Sequence, residues 1–291
     1  MKIYSIGSLN IDYVYSVDHF VAPGETMSSL EMQIFPGGKG LNQSIALAKA
    51  GADVVHGAIV GNGGEFLVKQ MADAGVDVSL LKTVDAPSGH AIIQVNKAGQ
   101  NCILLFAGTN YAVDREYVET VLENAEAGDV VLLQNEISCL DVIFEVAKKK
   151  GMQIAFNPSP FNDKIKNLPL EDVDWWFVNE IEGEALFGSD DPKTITENFI
   201  KKHPESNLIL TLGKNGSMFK NKTTELYQPI YDSPRVDTTA AGDTFTGYFL
   251  NAVTRGKDIS TALKLATKAS SIAVSRKGAS VSIPTADEVN I

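Results

Sequence analysis

The sequence predicts an α/β fold built on a mainly parallel sheet flanked by helices, with a small accessory β-sheet beside it. Three observations carry that expectation. Short apolar runs rich in β-branched residues alternate with amphipathic stretches of ten or more residues, the pattern of successive βαβ units. Several amphipathic stretches close near a glycine or a lysine-rich turn, as helix C-termini do. Two stretches break the rhythm with β pattern and no crossover helix.

Taken in order, Lys2–Ser8 reads as the first buried strand, and Ile11–Val17 is a short strand outside the βαβ rhythm. Gly40–Ala50 is the first helix, followed by strand Asp53–Val60 and helix Glu65–Ala74. Gly89–Asn96 and Asn101–Ala107 pair as a hairpin around Lys97-Ala98-Gly99-Gln100, and with Ile11–Val17 they form the accessory sheet. The rhythm resumes with strand Asp129–Gln134, helix Cys139–Lys150, strand Gln153–Asn157, strand Trp175–Val178, helix Glu180–Phe187 and strand Leu208–Leu212. A late hairpin joins Gly216–Lys220 to Thr224–Gln228, and helices Gly242–Thr254 and Ile259–Arg276 follow. In such a sheet the ligand crevice lies beyond the carboxyl ends of the strands.

The 291 residues carry 25 Lys+Arg against 36 Asp+Glu, a formal charge of −11, with 44% hydrophobic and 21% charged residues. That supplies a large core and excludes a disordered chain. The acidic excess disfavours nucleic acid or a membrane face as partner. Cys102 and Cys139 are too few for a disulfide framework, so the expected compartment is the cytoplasm. The opening MKIYSIGSLN has strand character and lacks the features of a signal peptide, and no apolar run reaches the length of a membrane span.

The usual phosphate-binding motifs are missing: Gly61-Asn62-Gly63-Gly64 fails the dinucleotide fingerprint because Phe66 stands where the third glycine belongs. The most informative segment is Asp237-Thr238-Thr239-Ala240-Ala241-Gly242-Asp243-Thr244-Phe245, which runs into a helix. Its small residues let backbone N–H groups approach an anion at the positive helix start, so Ala240, Ala241 and Gly242 form a candidate anion hole. Asp243 at its rim is placed to take a proton from a hydroxyl nucleophile. The competing reading is that Thr239 or Asp243 only caps the helix.

In Pro36-Gly37-Gly38-Lys39-Gly40-Leu41-Asn42-Gln43-Ser44, glycines around a lysine make a loop able to wrap a small polar ligand, with Lys39 and Asn42 as hydrogen-bonding groups. A glycine-rich turn with a solvated lysine is the alternative. Asn10 and Asp12, two apart after strand one, share a face if extended. Asn179 and Glu182 at a strand–helix junction suit either phosphate–magnesium contact or a capping box. Glu136 stands at a strand's carboxyl edge. The four histidines show no pairing, and Trp175 and Trp176 read as core.

Together with Asn157-Pro158-Ser159-Pro160 and Thr211-Leu212-Gly213, these motifs resemble the ribokinase-like (PfkB) carbohydrate kinases, in order and over nearly the whole chain. The resemblance implies a ribokinase-like fold, a Rossmann-like three-layer body with a small β-sheet lid: one domain over residues 1–291, with lid strands inserted at about 11–35 and 87–108. It implies ATP-dependent phosphorylation of a small sugar at a terminal hydroxyl, D-ribose at its 5-hydroxyl before another sugar or a nucleoside. A non-catalytic sugar- or nucleotide-binding regulator on the same fold is the alternative of a different class.

By the same resemblance Asp243 is the base, and Ala240, Ala241 and Gly242 hold the transferring group. Asn10, Asp12, Gly38, Lys39, Asn42, Glu136 and Asp243 contact the sugar, while Asn179, Thr211, Gly213 and Gly216 line the nucleotide. Glu182 lies near magnesium, indirectly. Asp237, Thr239, Ala273, Arg276, Gly278 and Ser282 match the site of an activating potassium ion. The family's lid implies a homodimer. The run Ala266-Thr267-Lys268-Ala269-Ser270 departs from the His- or Asn-containing alanine-rich run usual where adenine packs, which leaves the base contacts open.

Overall fold

The computed structural model describes residues 1–291. Its first part runs β1 (Ile3–Ile6), β2 (Asn10–Val17), β3 (Glu31–Gly37), α1 (Lys39–Lys49), β4 (Val54–Gly57), β5 (Ile59–Asn62), α2 (Glu65–Asp73), β6 (Lys82–Pro87), β7 (His90–Asn96) and β8 (Asn101–Phe106). The middle follows as α3 (Arg115–Val121), β9 (Val130–Gln134), α4 (Leu140–Lys150), β10 (Gln153–Asn157), β11 (Trp175–Asn179), α5 (Glu180–Phe187), α6 (Pro192–Lys202) and β12 (Asn207–Thr211). The chain closes with β13 (Ser217–Lys220), β14 (Glu225–Gln228), α7 (Ala241–Thr254) and α8 (Ile259–Ala273).

Strands β4, β1, β9, β10, β11 and β12 lie parallel, and β13 and β14 extend the sheet antiparallel at one edge. Because side chains alternate along a strand, Ile6, Leu133, Phe156 and Val178 enter one core, while Ile3, Leu132, Ala155 and Phe177 enter the other. The first core is closed by α3 to α6, with Trp176 packed edge-on against Phe187 and Phe199. The second is closed by α1, α2, α7 and α8, where Phe249 meets Phe177. Both faces of the sheet are thus covered, which explains why its strands read as continuous apolar runs. Each fully buried large apolar side chain contributes about 1.5–3 kcal/mol. His56 belongs to this interior: burial holds its pKa down at about 3, and the neutral ring bonds Ser44 Oγ at 2.8 Å. No helix is long and apolar enough to cross a membrane.

A four-stranded sheet in the order β3-β2-β7-β8 stands apart from the main one. Its edge strand β8 is exposed along its whole length, with Ile103, Leu104, Leu105 and Phe106 all at least half accessible.

Several elements differ from the sequence pattern. The single strand expected over Asp53–Val60 breaks at Ala58, and its second half, β5, leaves the main sheet to pair with β6. Strands β3 and β6 and helices α3 and α6 have no counterpart in the pattern, although Asp114 and Asp191, the latter followed by Pro192, cap the two helices in the ordinary way. The last helix ends at Ala273 rather than Arg276. Beyond that point the carbonyl of Val274 turns to accept the N–H groups of Val236 and Asp237.

Candidate active site

The start of α7 fixes the chemistry of the site. Ala240, the residue before the helix, is left-handed at φ 59°, a backbone state costly for a residue with a side chain and seen where a fold is held to a purpose. No side chain caps this helix, so neither Thr239 nor Asp243 does what the capping alternative requires. Thr239 instead donates to Asp237, from its N–H at 2.9 Å and its hydroxyl at 2.6 Å. The Ala241 N–H turns back to Thr238 O at 3.2 Å, so it is not free for a ligand. This narrows the anion hole: the N–H groups of Ala240, Gly242 and Asp243 find no acceptor in the protein.

The Asp243 side chain points away from the backbone and into the body, 6% exposed. Asn42 Nδ2 donates to one of its oxygens at 3.1 Å and Gln43 Nε2 to the other at 2.9 Å. The glycine loop and the late helix, distant in sequence, therefore meet at one carboxylate. Asn42 Oδ1 is buried without a partner, a vacant acceptor suited to a hydroxyl. Burial works to lower the Lys39 pKa, but Asp243, Glu136 and Glu182 outweigh it and raise it, so Lys39 is not the solvated lysine of a plain turn.

At the loop's other end, Glu136 Oε2 accepts from the Ser8 hydroxyl and from the Lys39 N–H at 3.0 Å. Asp12 lies against Gly37, where an added Cβ would fall 2.2 Å from its Oδ2; only glycine admits the carboxylate so close. Burial first, and then the charge of Glu136, raise the Asp12 pKa to about 7. Asn10 is buried and oriented by Asn110, whose amide donates to Asn10 Oδ1 at 2.8 Å and whose carbonyl oxygen accepts from Leu9 N at 3.0 Å. Asn110 carries no motif around it, and only its position in the fold reveals its part.

Two cavities flank α7. One of about 230 Å³ is lined by Lys39, Asn157, Glu182 and Asp243 among others. The second, about 520 Å³ and of a size usual for small-molecule sites, is lined by Thr211, Gly213, Gly216, Tyr231 and Thr267 among others. They share Asn179, Thr211, Thr238, Ala241 and Gly242. Asn10, Asp12, Gly38, Asn42 and Glu136 line neither cavity; Glu136 and Asn42 are tied to the smaller one by their bonds to Lys39 and Asp243, while Asn10 and Asp12 have no such bond. Asn179 and Glu182 do form a capping box, at 2.9 and 3.0 Å, and both still line the smaller cavity. In the run where adenine contacts were open, Thr267 has a buried hydroxyl with no partner on the wall of the larger cavity.

Of the residues expected at a cation site, Asp237, Thr239 and Gly278 are brought together by hydrogen bonds. Asp237 Oδ2 accepts from Gly278 N at 3.0 Å, which draws the segment after α8 to the start of α7. Burial tends to raise the Asp237 pKa, but the bonds from Thr239 and Gly278 prevail and lower it, so the carboxylate stays charged. Ala273 and Ser282, on either side of Gly278 in sequence, are buried, while the Arg276 guanidinium is committed to Glu288.

A wall with anion donors on one side and a held carboxylate on the other is what phosphoryl transfer to a hydroxyl requires, and it defines an α/β phosphotransferase. The family model for "pfkB family carbohydrate kinase" matches residues 1–286. Staphylococcus aureus ribokinase is 35% identical over 303 aligned residues, covering 99% of this chain and 98% of that one. The crystal structure of ribokinase from Thermotoga maritima superposes with TM-score 0.87 at 34% identity, covering 99% and 98% of the two chains. Arabidopsis thaliana ribokinase complexed with ribose and ATP gives TM-score 0.87 at 28% identity, covering 99% and 97%. The chain belongs to the pfkB family of carbohydrate kinases, enzymes that transfer a phosphoryl group to a sugar hydroxyl.

Proposed function

We propose that this protein is an ATP-dependent D-ribose kinase that forms ribose 5-phosphate. The observation that carries the reading is Asp243, a buried carboxylate hydrogen-bonded by the glycine loop on the wall of the smaller cavity, next to Gly242, which both cavities share. Nucleotide occupies the larger cavity along Asn179, Thr211, Gly213 and Gly216. The sugar lies among Asn10, Asp12, Gly38, Lys39, Asn42 and Glu136 with its terminal hydroxyl at Asp243. Asp243 takes the hydroxyl proton as the oxygen attacks, and the free N–H groups at the helix start receive the charge of the transferring phosphoryl group.

No cluster of three His, Cys, Asp or Glu side chains offers a divalent metal a protein cage, so magnesium arrives on the nucleotide. Glu182, whose Oε1 accepts no hydrogen bond from the protein, is its nearest protein contact, through water. A potassium ion beside Asp237, Thr239, Ala273, Arg276, Gly278 and Ser282 adds positive charge behind the anion hole. The four-stranded sheet acts as the lid inserted in one kinase domain, and the apolar side chains of β8 support a homodimer formed through it. Two free cysteines agree with a reducing cytoplasm.

The test is ADP release measured across ribose, deoxyribose, other pentoses, hexoses and nucleosides, with and without potassium. Ribose turnover with the highest kcat/KM, stimulated by potassium, is the expected result. No turnover with any sugar removes the kinase reading, and preference for a nucleoside removes ribose.

Asp12 gives this reading a pH signature. As a carboxylate it accepts charge-assisted hydrogen bonds from sugar hydroxyls, and its pKa of about 7 leaves it mostly protonated at pH 6 and mostly charged at pH 8. The KM for ribose is expected to fall by roughly tenfold between pH 6 and 8, in step with the charged fraction. Asp12→Asn should flatten that profile; an unchanged slope in the variant assigns the dependence to another group.

A further inference from the structure

Asp243 does not meet the protein interior through Asn42 alone. Gln43 Nε2 donates to its Oδ1 at 2.9 Å, and Gln43 Oε1 accepts from Gln134 Nε2 at 2.7 Å. Both glutamines are fully buried, one in α1 and the other at the carboxyl end of the central strand β9. The chain of amides has a fixed sense. A carboxylate only accepts, so Gln43 must present its NH2 to Asp243 and its carbonyl to Gln134. Gln134 is thereby left with its own Oε1 buried and without a partner. Space for that oxygen comes from Gly7, where a Cβ would stand 2.3 Å from it. The Gln134 amide thus satisfies Gln43 at the expense of its own carbonyl.

We propose that Gln43 and Gln134 are positioning residues for the reaction: a directed amide relay from the central sheet that aims the Asp243 carboxylate and holds its orientation. The proposal rests on the reading of Asp243 as the base. Lys39 and Glu182 line the same cavity as this carboxylate, Lys39 within reach of both negative charges, and the substitutions below leave both in place.

Gln43→Met keeps the length and removes the donor. It is expected to lower kcat by about 10- to 100-fold, while KM for ribose and ATP stays within about twofold. Gln134→Met should act in the same direction by about 3- to 10-fold, and the double variant should lose no more than Gln43→Met alone, because the two act in series. Should Gln43→Met fail to fold by circular dichroism, Gln134→Met and Gln43→Glu are read instead; the latter removes the donor, sets a second carboxylate beside Asp243 and should lower kcat at least as far. A folded Gln43→Met with kcat within about twofold of the parent, or with its loss carried by KM instead, overturns the relay, as do fully additive losses. With Asp243→Asn inactive, those results leave the base assignment standing. Turnover by Asp243→Asn removes that assignment itself.

Discussion

Asp243→Asn is expected to lower kcat by ~10³-fold or more while sugar binding stays close to normal. The substitution removes the proposed proton acceptor and changes little else, for a reason specific to this site. Replacing one carboxylate oxygen by NH2 sets a donor against a donor, at either Asn42 or Gln43. Asn42 can rotate its amide, because its Oδ1 is without a partner and can accept from the new group. The variant should therefore keep its fold, with a melting temperature within a few degrees of the parent. ADP release under saturating ribose and nucleotide, with ribose binding measured separately by calorimetry, divides chemistry from affinity. Turnover near the parent value would show that proton removal is not assigned to Asp243, whatever else the residue does.

How much of this could be read in the sequence depends on the range of the interaction. The alternation of strands and helices is local, and β9, β10, β11 and α5 lie within a residue or so of where the pattern puts them. The break at Ala58 is not local: a continuous apolar run does not say which sheet each half joins, and β5 leaves for β6. The glycine loop and the helix start announce themselves through residue types that backbone approach to a ligand demands. What binds them together does not. Gln43 is visible inside the motif but has no assigned task until Gln134, 91 positions away, is seen to fix its amide. Asn110 and Thr267 are likewise ordinary polar residues whose value comes from burial. The Asn179–Glu182 pair was legible as a capping box and as a ligand contact, and the two are compatible, since the box engages one oxygen of Glu182 and leaves the other.

The charge of −11 gains a narrower meaning at the site. Lys39 is the only cationic side chain on the wall of the smaller cavity, and it shares that wall with Glu182 and Asp243. Lys214 and Arg235 are the cations on the wall of the larger one. Recognition of a polyanion in such surroundings falls to backbone N–H groups, to the helix start and to the cations that accompany the anion. Net charge and site charge are separate quantities.

Gly242→Ala tests that division of labour, because stability and activity are expected to move apart. Gly242 is in the first turn of α7, exposed and with helical backbone, and a Cβ built on it meets nothing within 4 Å. Alanine should therefore be tolerated and raise stability slightly, by up to about 1 kcal/mol from helix propensity and reduced freedom of the unfolded chain. In the proposed reaction the transferring phosphoryl group enters the open space beside it, against the unpaired N–H groups of Gly242 and Asp243. A methyl there holds the phosphoryl oxygens away from donors whose loss costs ~10²- to 10³-fold in comparable anion holes. Turnover is expected to fall by that factor with the melting temperature unchanged or raised by a few degrees, and ribose affinity should be unaffected because the loop at Asn42 is untouched. A destabilised Gly242→Ala would mean that the space is filled by the protein itself. A stable and fully active one would place the phosphoryl group elsewhere and remove the helix start from the mechanism.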